Sequence, residues 1–173
     1  WTGTHFRDGS SSDVVFKDIV KTFVTAGDPV LDIILTGRNA NLHNVEILVG
    51  PAANSLRSLT TTQFVAHENK RITSSINWSD ISASGELVVR VAVQSGGVTD
   101  YISISAVKLH YAQQPDMQSK DSKVFIFNNL SSKSRLTIAN APSSPVVYNI
   151  SDKDNITRLA HNVSGSDIIT AVP

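Results

Sequence analysis

Cysteine is absent from the 173-residue sequence, which removes thiol nucleophiles, disulfides and thiolate metal sites together. An excess of one charge is missing too, because 15 basic side chains balance 15 acidic ones and no basic run gathers anywhere along the chain. Phosphate backbones bind to a concentrated basic surplus, so nucleic acid is excluded as a partner. No apolar run nears the roughly 18 residues that cross a bilayer, and none follows the basic stretch of a signal peptide. Nor does any window of about a dozen residues carry apolar side chains at i, i+3, i+4 and i+7, which leaves helices without a sequence signal.

Catalytic motifs are equally scarce. No G-x-S-x-G elbow surrounds a serine, since Gly165 in Val163-Ser164-Gly165-Ser166 has no second glycine in place. The phosphate-cradling loops G-x-x-x-x-G-K-S/T and G-x-G-x-x-G do not occur either. Five histidines stand at positions 5, 43, 67, 110 and 161, none within five residues of another, so no local H-x-x-x-H zinc pair exists. They read as surface or satisfied half-buried residues. The carboxylates Asp28, Asp32, Asp80, Glu86 and Asp100 fall in or beside expected turns and read as solvated, with nothing to pair two of them across a cleft as a glycosidase needs. Among these five carboxylates no Asp-x-Asp spacing supports a calcium loop. The sequence therefore assigns no catalytic, cofactor-binding or metal-ligating residue, and no cofactor is expected.

What the chain does have is alternation. In Leu87-Val88-Val89-Arg90-Val91-Ala92-Val93, the set Leu87, Val89, Val91 and Val93 shares one face, with Val88, Arg90 and Ala92 on the other. Similar patterning predicts strands over 13–24, 30–36, 44–49, 62–67, 71–76, 86–94 and 101–111. The last of these changes phase, from Ile102, Ile104 and Ala106 to Val107, Leu109 and Tyr111, and an extra residue there predicts a β-bulge. Turns are expected at Ala26–Pro29, Gly50-Pro51, Ser84-Gly85 and Ser95–Gly97, and an exposed loop at Asp8–Ser12. An all-β sandwich of jelly-roll type over residues 1–112 follows. Composition then turns polar through Gln113–Ser122, and residues 113–173 read as a small β-unit with strands over 123–127, 135–139, 146–150 and 167–172. About 60 residues bury little by themselves, so this unit is expected to dock on the first domain or on a further, downstream one. Trp1 at the start and a strand at the very end read as the ends of a piece cut from something longer.

Three stretches, in order, resemble one family. Gly97-Val98-Thr99-Asp100-Tyr101-Ile102 with Lys108-Leu109 looks like an aspartate-tyrosine strand leading to a basic-leucine ending. Lys123-Val124-Phe125-Ile126-Phe127 looks like the strand that opens a small second β-unit. Val147-Tyr148-Asn149-Ile150-Ser151-Asp152 is similar to a W-D-V-T-D-P segment, with Tyr148 for Trp, Asn149 for Asp, Ser151 for Thr and Lys153 where proline is usual. The family is the gingipain-like cysteine peptidases of Bacteroidetes, in the non-catalytic region that precedes the peptidase domain of the type IX secretion sortase. The resemblance implies a β-rich accessory module with no catalytic residue of its own, at the outer surface of a Gram-negative cell. Its partners would be the downstream peptidase domain of the same polypeptide and other surface proteins of the secretion system. The parent would cut sorting signals from secreted cargo and join the new end to a lipopolysaccharide anchor.

Two readings compete with this one. A carbohydrate-binding module would display a ring for stacking, and Trp78, near a predicted strand end, is the one tryptophan inside the domain. Against it, aromatics make up only 6% of the chain, and Trp78 reads better as a cap on the core edge. An adhesin or stalk domain is the other reading, on the neutral, Ser/Thr-rich composition. Five N-x-S/T sequons, at Asn77, Asn129, Asn149, Asn155 and Asn162, fit an extracellular setting without establishing it, since so Ser/Thr-rich a chain produces several by chance.

Overall fold

The computed structural model describes residues 3–19, 23–94, 99–127 and 133–172. The Ser95–Gly97 turn, Gly97-Val98 of the first family-like stretch and the Asn129 sequon lie outside these residues, as do Trp1 and positions 20–22 of the first predicted strand. The chain divides into two compact units, Trp1–Ala112 and Gln113–Pro173.

Among the described residues the first unit has eight strands: β1 (His5–Arg7), β2 (Ser11–Phe16), β3 (Val30–Gly37), β4 (Leu42–Ala52), β5 (Ser55–Val65), β6 (Asn69–Ser75), β7 (Leu87–Val93) and β8 (Tyr101–His110). They form two antiparallel sheets in the orders β1-β8-β3-β6 and β2-β7-β4-β5. Strand 1 thus pairs with 8, 2 with 7, 3 with 6 and 4 with 5, the winding of a jelly roll.

Alternation explains the core. Leu31, Ile33 and Leu35 of β3 and Ile102 of β8 meet Val45, Ile47 and Val49 of β4, Phe64 of β5 and the Leu87–Val93 row of β7 in one buried cluster. Ile33, Leu35, Ile47, Val49, Val89 and Val91 are sealed from solvent, as a sandwich with interdigitating inner faces requires. The predicted bulge is present on β8. Ile34 opposes Ala106 and Leu35 opposes Ile104, so Ser105 is the unpaired residue, one position before the change of phase read from the sequence.

Several boundaries depart from expectation, and three of them have a clear physical reason. The strand predicted over 13–24 ends at Phe16, because Asp18 adopts a left-handed backbone (φ 59°) that no strand continues through, and Val24–Ala26 form a 3-10 turn. Gly50-Pro51 is not a turn but part of β4, where the register slips between Val49 and Ala52, and the chain reverses at Ala53-Asn54 instead. Pro51 lacks a ladder N–H and fits only such an irregular stretch, while a Cβ on Gly50 would stand 2.0 Å from the Ser55 carbonyl oxygen. Finally, β5 starts seven residues before the predicted Thr62, its Ser/Thr-rich first half lying along a sheet edge where no alternation of apolar residues is required.

The second unit contains β9 (Ser134–Ile138), β10 (Val147–Asn149), β11 (Thr157–Leu159), β12 (His161–Ser164) and β13 (Asp167–Val172), arranged as a three-stranded sheet β12-β13-β9 and a two-stranded ribbon β10-β11. Its core is small: Met117, Ile138 and Ile168 are buried, with Phe125, Leu136, Ala141 and Val147 packed around them. The strand predicted over 123–127 is not formed, since that segment finds no ladder partner among the described residues. Asp116 substitutes for core in part. Its buried carboxylate accepts the Gln118 backbone N–H (2.7 Å) and the Asn140 amide (2.9 Å), binding two left-handed turns together.

Charged side chains staple the outer faces of the sandwich. The Arg71 guanidinium grips Asp32 with bonds of 2.8 and 2.7 Å, and Arg90 grips Asp13 with bonds of 2.7 Å. The bond from Arg71 holds the Asp32 carboxyl below its ordinary value of 3.8, and the bond from Arg90 does the same for Asp13. A carboxyl depressed in the folded state stabilises the fold above its unfolded value and loses that contribution as pH falls through the folded one. Chemical denaturation of the chain is therefore expected to be insensitive to pH from neutrality to about pH 5 and to weaken progressively below 3.8. Asp32→Asn should lower stability at neutral pH and flatten that acid limb; an unchanged acid limb in the variant would contradict the assignment.

Candidate functional site

Strand β4 carries four inward side chains in phase: His43, Val45, Ile47 and Val49. His43 is wholly buried at the end of this row, with the Phe64 ring 4.7 Å from its own. Its Nδ1 bonds the Asp100 carboxylate, itself only 3% exposed, and its Nε2 lies 2.6 Å from the Ala66 carbonyl oxygen. Both ring nitrogens therefore have an oxygen partner inside the protein. Gly37 makes room for the arrangement, because a Cβ there would stand 1.8 Å from the Ala66 oxygen and 2.3 Å from Nε2.

Loops close over this end of the sandwich. The Asn39 and Asn41 amides both donate to the Thr99 carbonyl (2.8 and 2.6 Å), the Arg38 N–H donates to Tyr101 O (2.8 Å), and the Asp8 N–H donates to Asp100 O (3.0 Å). A His–Asp pair is part of many hydrolytic sites, but there the second ring nitrogen faces a nucleophile. Here Ala66 O occupies it, and the ring has no solvent access. The pair is a clamp between strand ends rather than a base poised for proton transfer.

The other residues singled out in the sequence divide between buried, paired groups and exposed ones. Asp32 and Asp80 are buried and ion-paired rather than solvated, and Asp100 is buried and bonded to His43. Asp28 is exposed and Glu86 half-buried, so the five carboxylates are not brought together. His5, His67 and His110 are exposed, and His161 is half-buried on β12. Among the described residues no group of three His, Asp or Glu side chains could hold a metal ion. Trp78 opens a 3-10 turn (Trp78–Asp80) locked by a reciprocal Asn77–Asp80 cap and by two bonds from Arg57 to Asp80 (2.8 and 2.6 Å). Its indole N–H donates to Gly27 O (3.1 Å), and its ring meets Tyr111 edge-on at 6.4 Å. That is the cap on the core edge anticipated for it.

Exposed apolar groups concentrate elsewhere, in the second unit. Val146, Tyr148 and Ile150 alternate along one face of the β10 region at 50, 56 and 49% exposure, while Val147 between them packs on the core. Val124 and Ile126 stand out further, at 66 and 91%. Patches of this kind on a folded unit mark contact surfaces. No periodic signal separated them from core in the sequence, since a strand with one dry face and a strand awaiting cover share the same alternation.

No family model matches the sequence, and no curated protein matches it. Solved structures do match. The fold matches that of a segment of PorU. In the crystal structure of dimeric latent PorU from Porphyromonas gingivalis, the likeness covers 99% of this chain with a TM-score of 0.74 at 16% identity, which makes it a likeness of fold. The chain spans 17% of the length of the PorU chain. Lower scores relate it to the CBM36-1 domain of a multidomain xylanase from the hindgut metagenome of Trinervitermes trinervoides (TM-score 0.43, 14% identity, 61% of this chain and 77% of that one). Xylanase10C from Cellvibrio japonicus scores 0.42 at 14% identity over 66% of this chain and 24% of its own. Of the residues that carried the sequence resemblance, Asp100 lies in the clamp, Lys108-Leu109 on β8, and Tyr148-Asn149 on β10 ahead of a turn closed by Asn155 N–H to Asp152 O (3.2 Å), while Lys123–Phe127, expected as a strand, forms none.

Two measurements test this account. His43→Leu leaves the buried Asp100 carboxylate unpartnered and is expected to cost about 3–5 kcal/mol in urea unfolding, with the additional change Asp100→Leu recovering part of the loss; a single variant as stable as the parent would refute the clamp. Titration with a panel of glycans is expected to leave the intrinsic tryptophan fluorescence unchanged. A saturable response abolished by Trp78→Ala would instead make Trp78 a sugar platform.

Proposed function

We propose that this chain is a non-catalytic accessory β-module of a cell-surface cysteine peptidase resembling the type IX secretion sortase, and that it supports the processing and anchoring of secreted cargo. The observation that carries the reading is the fold shared with PorU over 99% of the chain. The three ordered stretches of sequence resemblance point the same way.

Chemistry supports the division of labour. A cysteine peptidase works through a thiolate, and this chain has no cysteine to supply one. The His–Asp pair it does contain is closed at both nitrogens by protein acceptors. The module's contribution is mechanical: a rigid sandwich in the first unit and apolar surface in the second on which a neighbour is seated. Its place of action is the outer face of a Gram-negative cell, beside the peptidase domain of the same polypeptide.

Sequencing the parent reading frame past Pro173 tests the proposal. The expected result is several hundred further codons of alternating strands and helices, with a histidine and later a cysteine each at the end of a strand. A stop codon there, or a continuation made only of β-domains, would overturn it.

A further inference from the structure

The three-stranded sheet β12-β13-β9 has two unlike faces. On one, Ile138, Ile168 and Thr170 are buried. On the other, Arg135 stands opposite Ala171, and Thr137 opposite Ile169, which in turn opposes Asn162. Alternation puts Lys133, two positions before Arg135, on this same side. A groove of about 470 Å³ opens here. The methyl groups of Ala171 and Ala160 and the half-buried Ile169 form its floor, between Lys133 and Arg135 on one wall and Asn162 on the other. The two cations are uncompensated. Arg57, Arg71 and Arg90 of the first unit each grip a carboxylate, whereas neither Lys133 nor Arg135 is ion-paired among the described residues. Asp167 shares their face but stands four residues along β13 from Ala171, about 13 Å away at strand spacing and beyond the ~8 Å screening length of physiological salt. Lys133 and Arg135 lie only about 7 Å apart along the backbone, so each raises the potential at the other.

We propose that this groove binds a phosphate monoester, its phosphoryl group between Lys133 and Arg135 and its organic body over Ile169 and Ala171. Charge selects the head group. Two fixed positive charges match a phosphoryl group, which is close to doubly negative at neutral pH, whereas a carboxylate cancels only one of them. The guanidinium fork of Arg135 presents two parallel N–H donors to phosphate oxygens, and the Lys133 ammonium serves a third as a point charge. Across the groove the Asn162 amide adds a neutral donor. Size and lining select the rest of the ligand. A phosphoryl group alone fills a small part of 470 Å³, and the remaining floor of Ile169, Ala171 and Ala160 is apolar surface that a hydrocarbon body covers. A nucleic-acid backbone is not served, because the cations span two strand positions and not a track of phosphates. The proposal rests on this groove alone and stands whether or not the secretion reading does.

Calorimetric titration of the whole chain at low salt with butyl phosphate, inorganic phosphate and butyrate tests it. Butyl phosphate is expected to bind saturably at one site, about tenfold or more tighter than inorganic phosphate, because its chain buries methylenes on the floor. Butyrate, with one charge, should bind about tenfold or more weaker than butyl phosphate. Arg135→Gln should weaken butyl phosphate by about tenfold or more, and Arg135→Lys should restore part of the loss. Arg158→Gln removes the same charge from an exposed position of β11 outside the groove and should leave binding unchanged. Arg135 is exposed as well, so the variants keep the fold, and amide NMR spectra check that while placing the ligand-induced shifts at residues 133–135, 160–162 and 169–171. Absence of saturable binding would overturn the proposal, as would equal losses in Arg135→Gln and Arg158→Gln or shifts centred elsewhere. Butyrate or inorganic phosphate binding as tightly as butyl phosphate would overturn it too, the first by removing the phosphoryl group from the recognition and the second by removing the ester.

Discussion

The bond from His43 to Asp100 joins positions 57 residues apart and ties the start of β4 to the start of β8. These strands lie in different sheets of the sandwich, so the bond crosses the core at its open end. Hydrophobic rows hold the middle of such a fold, but at the ends the chain leaves the sheets and backbone groups need partners. His43 meets that need with one ring: an acidic partner from one loop, a carbonyl from another, and a flat face against Phe64. Gly37 and the Asn39 and Asn41 amides are arranged around it, and the loop at residues 99–101 takes its position from the same contacts.

The two units solve the same problem with different resources. Fourteen buried apolar residues share the core of the first, whereas three anchor the second. A unit of about 60 residues with so small a core depends on polar scaffolding and on cover from outside. Asp116, Asn140 and Lys123 supply the scaffolding, through a buried carboxylate and an ammonium that also caps a carbonyl. Cover is what the exposed Val124, Ile126, Tyr148 and Ile150 still require.

Most of the sandwich was legible because its central strands alternate over most of their length. Leu87, Val89, Val91 and Val93 could be assigned to the core from spacing alone, and the phase change in β8 announced its bulge. Edge strands were harder to read. The first half of β5 carries serine and threonine on an edge where pairing, not burial, decides its structure. His43 was within reach of the same reasoning, since it continues the Val45, Ile47, Val49 phase by one step, and starting the strand at Asn44 concealed it. The buried roles of Asp32, Asp80 and Asp100 were not legible, because each depends on a basic or imidazole partner brought close only by the fold. Local spacing carries no trace of a partner at that distance.

Segment 123–127 separates local preference from tertiary outcome. Its residues have the propensity and alternation of a strand, and its inward side chains are placed as a strand would place them. A strand, however, is a relation between two backbones, and propensity supplies only one of them. The same distinction bears on function. The polar side chains of the first unit that face one another are consumed in holding the sandwich shut, which leaves recognition to surfaces where the fold is incomplete. With Asp32, Asp80, Asp100 and His43 paired internally, unpaired backbone and uncovered apolar side chains are among the groups with interaction energy left to spend.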